Sequence, residues 1–287
     1  MLFIKGRSRS CAGWRACCHP SIAAFIPRRK LKRKRRSSGA VNMAVDSLEH
    51  RRSFLVSYNH ADWELRRRFC RFLLRTIGFT LLAKIDEVQG LENIPDKGAA
   101  ILMINHIAFI DPIVVLHVVP RQIVPLAKIE VYNYPIIGIF PRLWGVIPVR
   151  REEFDRRAVQ QVLAVLRAGE IVLVAPEGTR HPQLSRGKEG VAYLASRSGA
   201  PVIPVALEGT PGFPALRFSK RWKQPGAQVR FGKPFRFKRM LQSPGREELR
   251  KMTDEAMYIL ASMLPEHRRG YYADLAHATQ DTIEWVG

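Results

Sequence analysis

The chain has 287 residues, of which 46% are hydrophobic and 25% charged, and this favours one globular domain with terminal extensions over two full domains. Its net charge of +22 at pH 7 is far from ordinary and predicts an anionic partner. Three of the four cysteines lie within the first 18 residues, which argues against a disulfide framework. Their spacing with His19 fits no recurrent zinc motif, so we expect no metal site.

The first segment, residues 1–60, is predicted to be a basic, disordered extension. Residues 1–42 hold 12 Lys or Arg and no Asp or Glu, which leaves a net charge of +10 for the rest of the chain. Eight basic residues fall in 27–38 without apolar periodicity, a pattern that suits anionic lipid or nucleic acid. Met43 is an alternative start. No secretory signal is evident, so we expect a cytoplasmic location.

The next segment, residues 61–88, is predicted to be an amphipathic helix. Two rows of residues, each with a spacing of four, fall on opposite sides of it. The apolar row is Phe69, Leu73, Ile77 and Leu81, and the basic row is Arg67, Arg71 and Arg75. The arginines interrupt any run long enough to span a bilayer, so the helix is expected to lie on an anionic membrane surface. A surface helix that packs its apolar row on the protein's own core is the alternative.

Residues 89–265 are predicted to be an α/β domain with a mostly parallel sheet flanked by helices. Near-continuous apolar runs, such as residues 99–105, 171–176 and 201–207, alternate with segments of helical periodicity. Residues 227–235 resemble an edge strand, 246–264 a long amphipathic helix, and 266–287 a C-terminal tail. The tripeptide Glu-Gly-Thr occurs at 177–179 and again at 208–210, but the flanking residues differ, so no repeat is predicted.

His106 and Asp111 follow the apolar run "AILMIN" and are the first candidates for chemistry. Pro112 suits the first turn of a helix, which would place Asp111 near its N-terminus. From there the carboxylate could hold Nδ1–H of the imidazole, leaving Nε2 as a proton acceptor. The pair therefore indicates a general base, although each residue alone is more often structural.

A phosphate site is predicted after a later strand. Residues 177–180 supply a flexible turn, a hydroxyl, backbone N–H groups and the guanidinium of Arg180, and a third strand end supplies Arg150 and Arg151. Loops after parallel strands meet at one edge of a sheet, so these groups could share a crevice with His106. A general base beside a phosphate pocket indicates that the hydroxyl of a phosphorylated substrate is deprotonated.

The motifs "NHIAFIDP", "GVIPVRR" and "PEGTR" resemble those of the bacterial 1-acylglycerol-3-phosphate acyltransferase family, a group of glycerolipid acyltransferases, over about residues 65–264. The resemblance implies that His106 and Asp111 are catalytic. It also implies an acyltransferase-like fold and a substrate phosphate bound through a set of matching residues. That set is Glu177, Gly178, Thr179, Arg180, Arg151 and Lys128.

The resemblance implies transfer of an acyl group from a thioester to the sn-2 hydroxyl of lysophosphatidate, which forms phosphatidate. The co-substrate would be acyl-coenzyme A or acyl carrier protein, with no further cofactor. The enzyme would be a peripheral or monotopic protein on the cytoplasmic face of the cell membrane. Another lysophospholipid or glycerol 3-phosphate remains an alternative acceptor. A non-catalytic membrane- or nucleic-acid-binding protein is the alternative of another class, motivated by the basic charge.

Overall fold

The computed structural model describes residues 59–135, 137–150, 154–238 and 244–286. The predictions for residues 1–58 and for Arg151 lie outside these ranges. The described strands are β1 Ile85–Gln89, β2 Ala100–Ile104, β3 Ile123–Lys128, β4 Ile147–Val149, β5 Ile171–Val174, β6 Val202–Glu208, β7 Ala227–Phe231, β8 Phe235–Phe237 and β9 Ile283–Trp285. The described α-helices are α1 Glu64–Leu73, α2 Phe79–Leu81, α3 Asp111–Val118, α4 Ile139–Trp144, α5 Arg156–Arg167, α6 Gly190–Ser198, α7 Arg246–Ser262 and α8 Glu266–Arg269.

The strands form one mixed sheet in the order β1-β7-β6-β2-β5-β3-β4. Neighbours from β6 to β4 are parallel, whereas β7 is antiparallel to β6 and parallel to β1. The predicted class, a mostly parallel sheet flanked by helices, is confirmed. The prediction that residues 227–235 form an edge strand is wrong, because β1 covers the outer side of β7 and becomes the edge itself.

Helices cover both faces of the sheet because the central strands are apolar on both sides. Along β2, Ile101 and Met103 point into the core formed with α5, α6 and α7. Leu102 and Ile104 point into the opposite core, to which Val114 of α3 and other helical residues contribute. The alternation follows from the period of two in a strand, and it leaves the ends of the strands as the place for polar side chains.

Helix α1 turns Arg67 and Arg71 of the predicted basic row inward, whereas Arg75, in the turn after the helix, is exposed and the apolar row faces outward. Arg67 is 1% exposed and donates from Nε to Trp144 O and from a terminal nitrogen to Gly145 O. Arg71 donates to the carbonyls of Pro120 and Arg121, and burial, together with the charge of Arg75, lowers its pKa to about 10. The prediction that these arginines face lipid headgroups is therefore wrong for Arg67 and Arg71, because they hydrogen-bond the protein's own backbone.

The helical segment is also shorter than predicted. A π-helical turn, Leu74–Gly78, joins α1 to α2, and strand β1 begins at Ile85. At the other end of the chain, residues 266–286 pack on the domain and supply β9, which pairs with β8. Among the described residues, no helix combines the length and the apolar character needed to cross a membrane.

Candidate active site

The carboxyl end of β2 places the first site residue. Asn105, which is buried, donates from Nδ2 to Leu207 O and accepts from Leu207 N, so its side chain ties the end of β2 to β6. His106 follows immediately and its side chain is 15% exposed. The imidazole therefore lies at the end of a buried strand and is partly accessible to solvent.

Asp111 holds the imidazole in the predicted way. Its Oδ2 lies 2.9 Å from His106 Nδ1 and accepts hydrogen bonds of 2.7 Å each from the N–H groups of Ile107 and Ala108. These donors hold the carboxylate in place, and its side chain is 0% exposed. Because Nδ1 donates its proton to Asp111, Nε2 carries the lone pair that a general base needs.

Thr210 supplies a contact that the sequence did not predict. Its hydroxyl is fully buried and donates to Asp111 Oδ1 over 2.5 Å. Thr210 ends the second Glu-Gly-Thr tripeptide, just after β6, and Glu208 of the same tripeptide pairs with Arg268 at 2.6 Å. The repeated tripeptide is the only feature of the sequence that draws attention to Thr210. It does not indicate that β6 lies beside β2, which is what brings Thr210 to Asp111.

Glu177 braces His106 rather than facing a ligand. Its Oε1 accepts from His106 N at 3.1 Å, and its Oε2 accepts from the N–H and the hydroxyl of Ser185. Only 4% of the residue is exposed, and burial raises the pKa of the carboxyl above its usual value. The prediction that Glu177 binds the substrate phosphate is wrong, because both oxygens are occupied and a carboxylate repels an anion.

The turn that follows Glu177 joins the second motif to the first. Gly178 has φ of 74°, which favours glycine, and a Cβ there would come within 3.3 Å of Lys188 Nζ. His181 N donates to His106 O at 2.9 Å, so the loop meets the histidine as predicted. Thr179 and Arg180 are exposed on this turn, and Arg180 forms no ion pair with any described residue.

The other cations predicted to bind phosphate have no described contact with His106 or Asp111. Lys128 ends β3 and pairs with Glu130 at 3.4 Å, so part of its charge is already compensated. Arg150 follows β4, and its backbone N–H donates to Asp155 at the start of α5. Arg151 lies outside the described residues, and its role stays a prediction.

A cavity of about 530 Å³ opens beside His106. Its wall is mainly apolar and comes from the strands β3 and β5 and the helices α5 and α6. Typical members are Leu126, Leu173, Val162, Val191 and Leu194. Three cations, Arg150, Lys188 and Arg246, also line it. An apolar cavity with a few charged groups and a poised base suits a ligand with a long hydrocarbon part.

The C-terminal helices fix the far side of the site. Arg250 on α7 donates to Gly187 O and to the carboxylates of Glu189 and Asp254. Tyr272 donates to Asp254 and accepts from Gly187 N, and burial raises its pKa. These contacts hold the loop that carries Lys188, so the segment predicted as a tail contributes to the shape of the site.

Comparison with known proteins agrees with the geometry. A family model described as Acyltransferase matches residues 86–208. The 1-acyl-sn-glycerol-3-phosphate acyltransferase of Borreliella burgdorferi is 36% identical over 134 residues, 44% of this chain and 52% of the relative. The protein of the same name from Bacillus subtilis is 27% identical over 188 residues, 65% of this chain and 91% of the relative. The chain thus matches about half of the first protein and most of the second.

A solved structure shares the fold. The crystal structure of the 1-acyl-sn-glycerophosphate (LPA) acyltransferase, PlsC, from Thermotoga maritima has a TM-score of 0.50 and 25% sequence identity, and the likeness covers 76% of this chain and 87% of that chain. The matched region, residues 86–208, contains His106, Asp111 and the turn at Gly178. Over residues 86–208 the chain therefore matches the Acyltransferase family model, and in sequence and fold it is similar to 1-acyl-sn-glycerol-3-phosphate acyltransferases.

Proposed function

We propose that this protein transfers a fatty acyl group from a thioester to the sn-2 hydroxyl of lysophosphatidate, forming phosphatidate. The observation that carries the proposal is the hydrogen bond from His106 to buried Asp111 at the edge of an apolar cavity. The names of the similar proteins support the same acceptor. A base, a hydrocarbon cavity and nearby cations are the parts that this reaction needs.

In the proposed mechanism, His106 Nε2 accepts the proton of the sn-2 hydroxyl as its oxygen attacks the thioester carbonyl. Asp111 stabilises the imidazolium that forms, because its carboxylate stays fixed on the Nδ1 side. When the tetrahedral intermediate collapses, the C–S bond breaks and the thiolate takes the proton from Nε2. The base is thereby regenerated, and no covalent enzyme intermediate is needed.

The cations beside the base would hold the acceptor phosphate. Arg180 is the strongest candidate, because it is exposed on the turn whose neighbour, His181, hydrogen-bonds the His106 carbonyl. Lys128 and Arg151 are proposed as further phosphate contacts, whereas Gly178 and Thr179 would offer backbone and hydroxyl donors. Anchoring the phosphate fixes the distance from the hydroxyl to Nε2, and an error of about 1 Å there can cost on the order of a hundredfold.

The apolar cavity would take the hydrocarbon chain of the donor. Its volume of about 530 Å³ falls within the range of ordinary ligand cavities, and His106 is part of its wall. A chain held there would present its thioester to the hydroxyl that His106 activates. Acyl-coenzyme A and acyl carrier protein both offer this thioester, and no other cofactor is proposed.

The outward apolar row of residues 69–81, from α1 to α2, would hold the enzyme on the cytoplasmic face of the membrane. Phe69, Ile77 and Leu81 are 62%, 54% and 46% exposed, and Leu73 is 38% exposed. Large apolar side chains exposed in one row favour burial at a lipid interface. Because Arg67 and Arg71 point inward, the apolar row is the part proposed to enter the lipid.

The test is transfer of a labelled acyl group to lysophosphatidate by the full chain in vesicles that contain anionic lipid. Acyl-coenzyme A and acyl carrier protein are compared as donors, and lysophosphatidylcholine and glycerol 3-phosphate are compared as acceptors. Labelled phosphatidate is the expected product. Product from another acceptor alone would contradict the proposed substrate, and no product from any pair would contradict the activity.

A further inference from the structure

The loop between β6 and β7 exposes two large apolar side chains that the fold does not use. Phe218 is 95% exposed and Leu216 is 69% exposed. Residues 209–226, here called the Phe218 loop, contain no acidic residue and four basic ones. Three of these, Arg217, Lys220 and Lys223, are exposed and form no ion pair with any described residue.

The loop is held in a defined shape, so this exposure is built into it. The guanidinium of Arg221 donates to the carbonyls of Pro211, Pro225 and Gly209 and lies 3.9 Å from the centre of the buried Phe213 ring. Trp222 donates from Nε1 to Ala215 O at 2.6 Å and packs edge-on against Phe213. These contacts anchor the base of the loop in the core and leave its tip projecting.

The tip adjoins the outward row of α1 and α2. Ala215 N donates to Leu82 O at 2.8 Å, directly after α2, and Leu81 and Leu82 are 46% and 41% exposed. The apolar row and the Phe218 loop are therefore neighbours along the surface. Residues 65–82 extend for roughly 26 Å at the rise of a helix, and the loop adds a second apolar point at the end of this line.

We infer that the Phe218 loop is a second membrane contact that inserts Leu216 and Phe218 into an anionic bilayer. Arg217, Lys220 and Lys223 flank the two apolar residues, and each cation near an anionic surface adds attraction. The loop thus adds exposed cations to the exposed Arg66 and Arg68 of α1, whereas Arg67 and Arg71 face the protein. The inference rests on the membrane contact proposed above for α1 and adds a second segment that favours anionic lipid.

The experiment compares sedimentation of the full chain and its variants with vesicles of phosphatidylcholine, with and without phosphatidylglycerol. The double variant Leu216→Ser and Phe218→Ser is expected to bind both vesicles at least about tenfold more weakly, which is the effect of losing about 1.4 kcal/mol. Lys220→Gln with Lys223→Gln is expected to weaken binding to the anionic vesicles alone.

Trp285→Ser is the matched control. Trp285 is 44% exposed on β9, where it pairs with Phe235. Phe235 in turn pairs with Val202 at the start of β6, whereas the Phe218 loop follows the other end of β6. The control should bind vesicles as the parent does. Transfer between short-chain, water-soluble donor and acceptor without vesicles should be the same in the parent and the loop variants.

Binding by the double serine variant within about twofold of the parent would overturn the inference. Unchanged vesicle binding together with loss of a dimer or of a protein complex in sedimentation would assign the loop to a protein partner and overturn it equally. If the parent binds vesicles but transfers no acyl group to any acceptor, the proposed function fails while the comparison of vesicle binding still decides the loop.

Discussion

Replacing Thr210 by valine tests whether the buried hydroxyl positions the catalytic pair. Valine keeps the shape of threonine, so packing is preserved and only the donor to Asp111 Oδ1 is lost. A hydrogen bond to a charged group contributes about 1.5–3 kcal/mol, and the carboxylate cannot turn to water because its side chain is 0% exposed. If the free carboxylate shifts and releases the imidazole, kcat should fall about 10- to 100-fold at about 1.4 kcal/mol per tenfold.

The assay measures kcat and KM for lysophosphatidate with Thr210→Val, Thr210→Ser and Thr253→Val. Serine retains the hydroxyl and should restore most of kcat, with KM close to that of the parent in every variant. Thr253 is a matched control because it is 2% exposed and its hydroxyl donates to Leu249 O within α7. Parental kcat in Thr210→Val, or equal loss in the serine variant, would refute the positioning role.

Three further changes test other parts of the site. Arg180→Ala should raise KM for lysophosphatidate about 10- to 100-fold, because it removes a charged contact to the phosphate. The control is Arg197→Ala, which changes an exposed arginine on α6 and should leave KM unchanged. Equal effects of the two changes on KM would count against the phosphate site. Glu177→Gln should lower the free energy of unfolding by about 1–3 kcal/mol, read from denaturant titration, because one partly buried N–H, of His106 or Ser185, loses its acceptor. An unchanged midpoint of the denaturant titration would contradict the stabilising role of the hydrogen bonds to Glu177. Ala158→Leu narrows the cavity and should shift the preference among acyl donors to shorter acyl chains. An unchanged preference for acyl-chain length would mean that the acyl chain binds outside this cavity.

The central sheet and the catalytic pair were predictable because local patterns determine them. Near-continuous apolar runs leave few choices but buried strands, and His106 and Asp111 are close enough in sequence for one turn to join them. The turn at Gly178 was found because its residues suit an anion. Its position near His106 was also predicted, but the hydrogen bond from His181 N to His106 O was not, since it depends on the order of the strands.

Other features depend on tertiary contacts that no local pattern contains. The spacing of α1 shows that the apolar and basic rows are opposite, but not which of them faces the protein. The carbonyls of Trp144 and Gly145 decide this, because they lie beneath Arg67 and accept its hydrogen bonds. Thr210 was missed for the same reason, since 99 residues separate it from Asp111 and only the pairing of β6 with β2 brings them together.

The most direct test of the account compares His106→Gln with His117→Gln in the acyl-transfer assay. His117 lies on α3, stacked on Phe79 with ring centres 3.9 Å apart, and it takes no part in the proposed chemistry. His106→Gln should lower kcat roughly 10²- to 10⁴-fold, the contribution of a general base, while His117→Gln stays within a few-fold of the parent. Transfer by His106→Gln at the parental rate would contradict the central claim that this histidine deprotonates the acceptor hydroxyl.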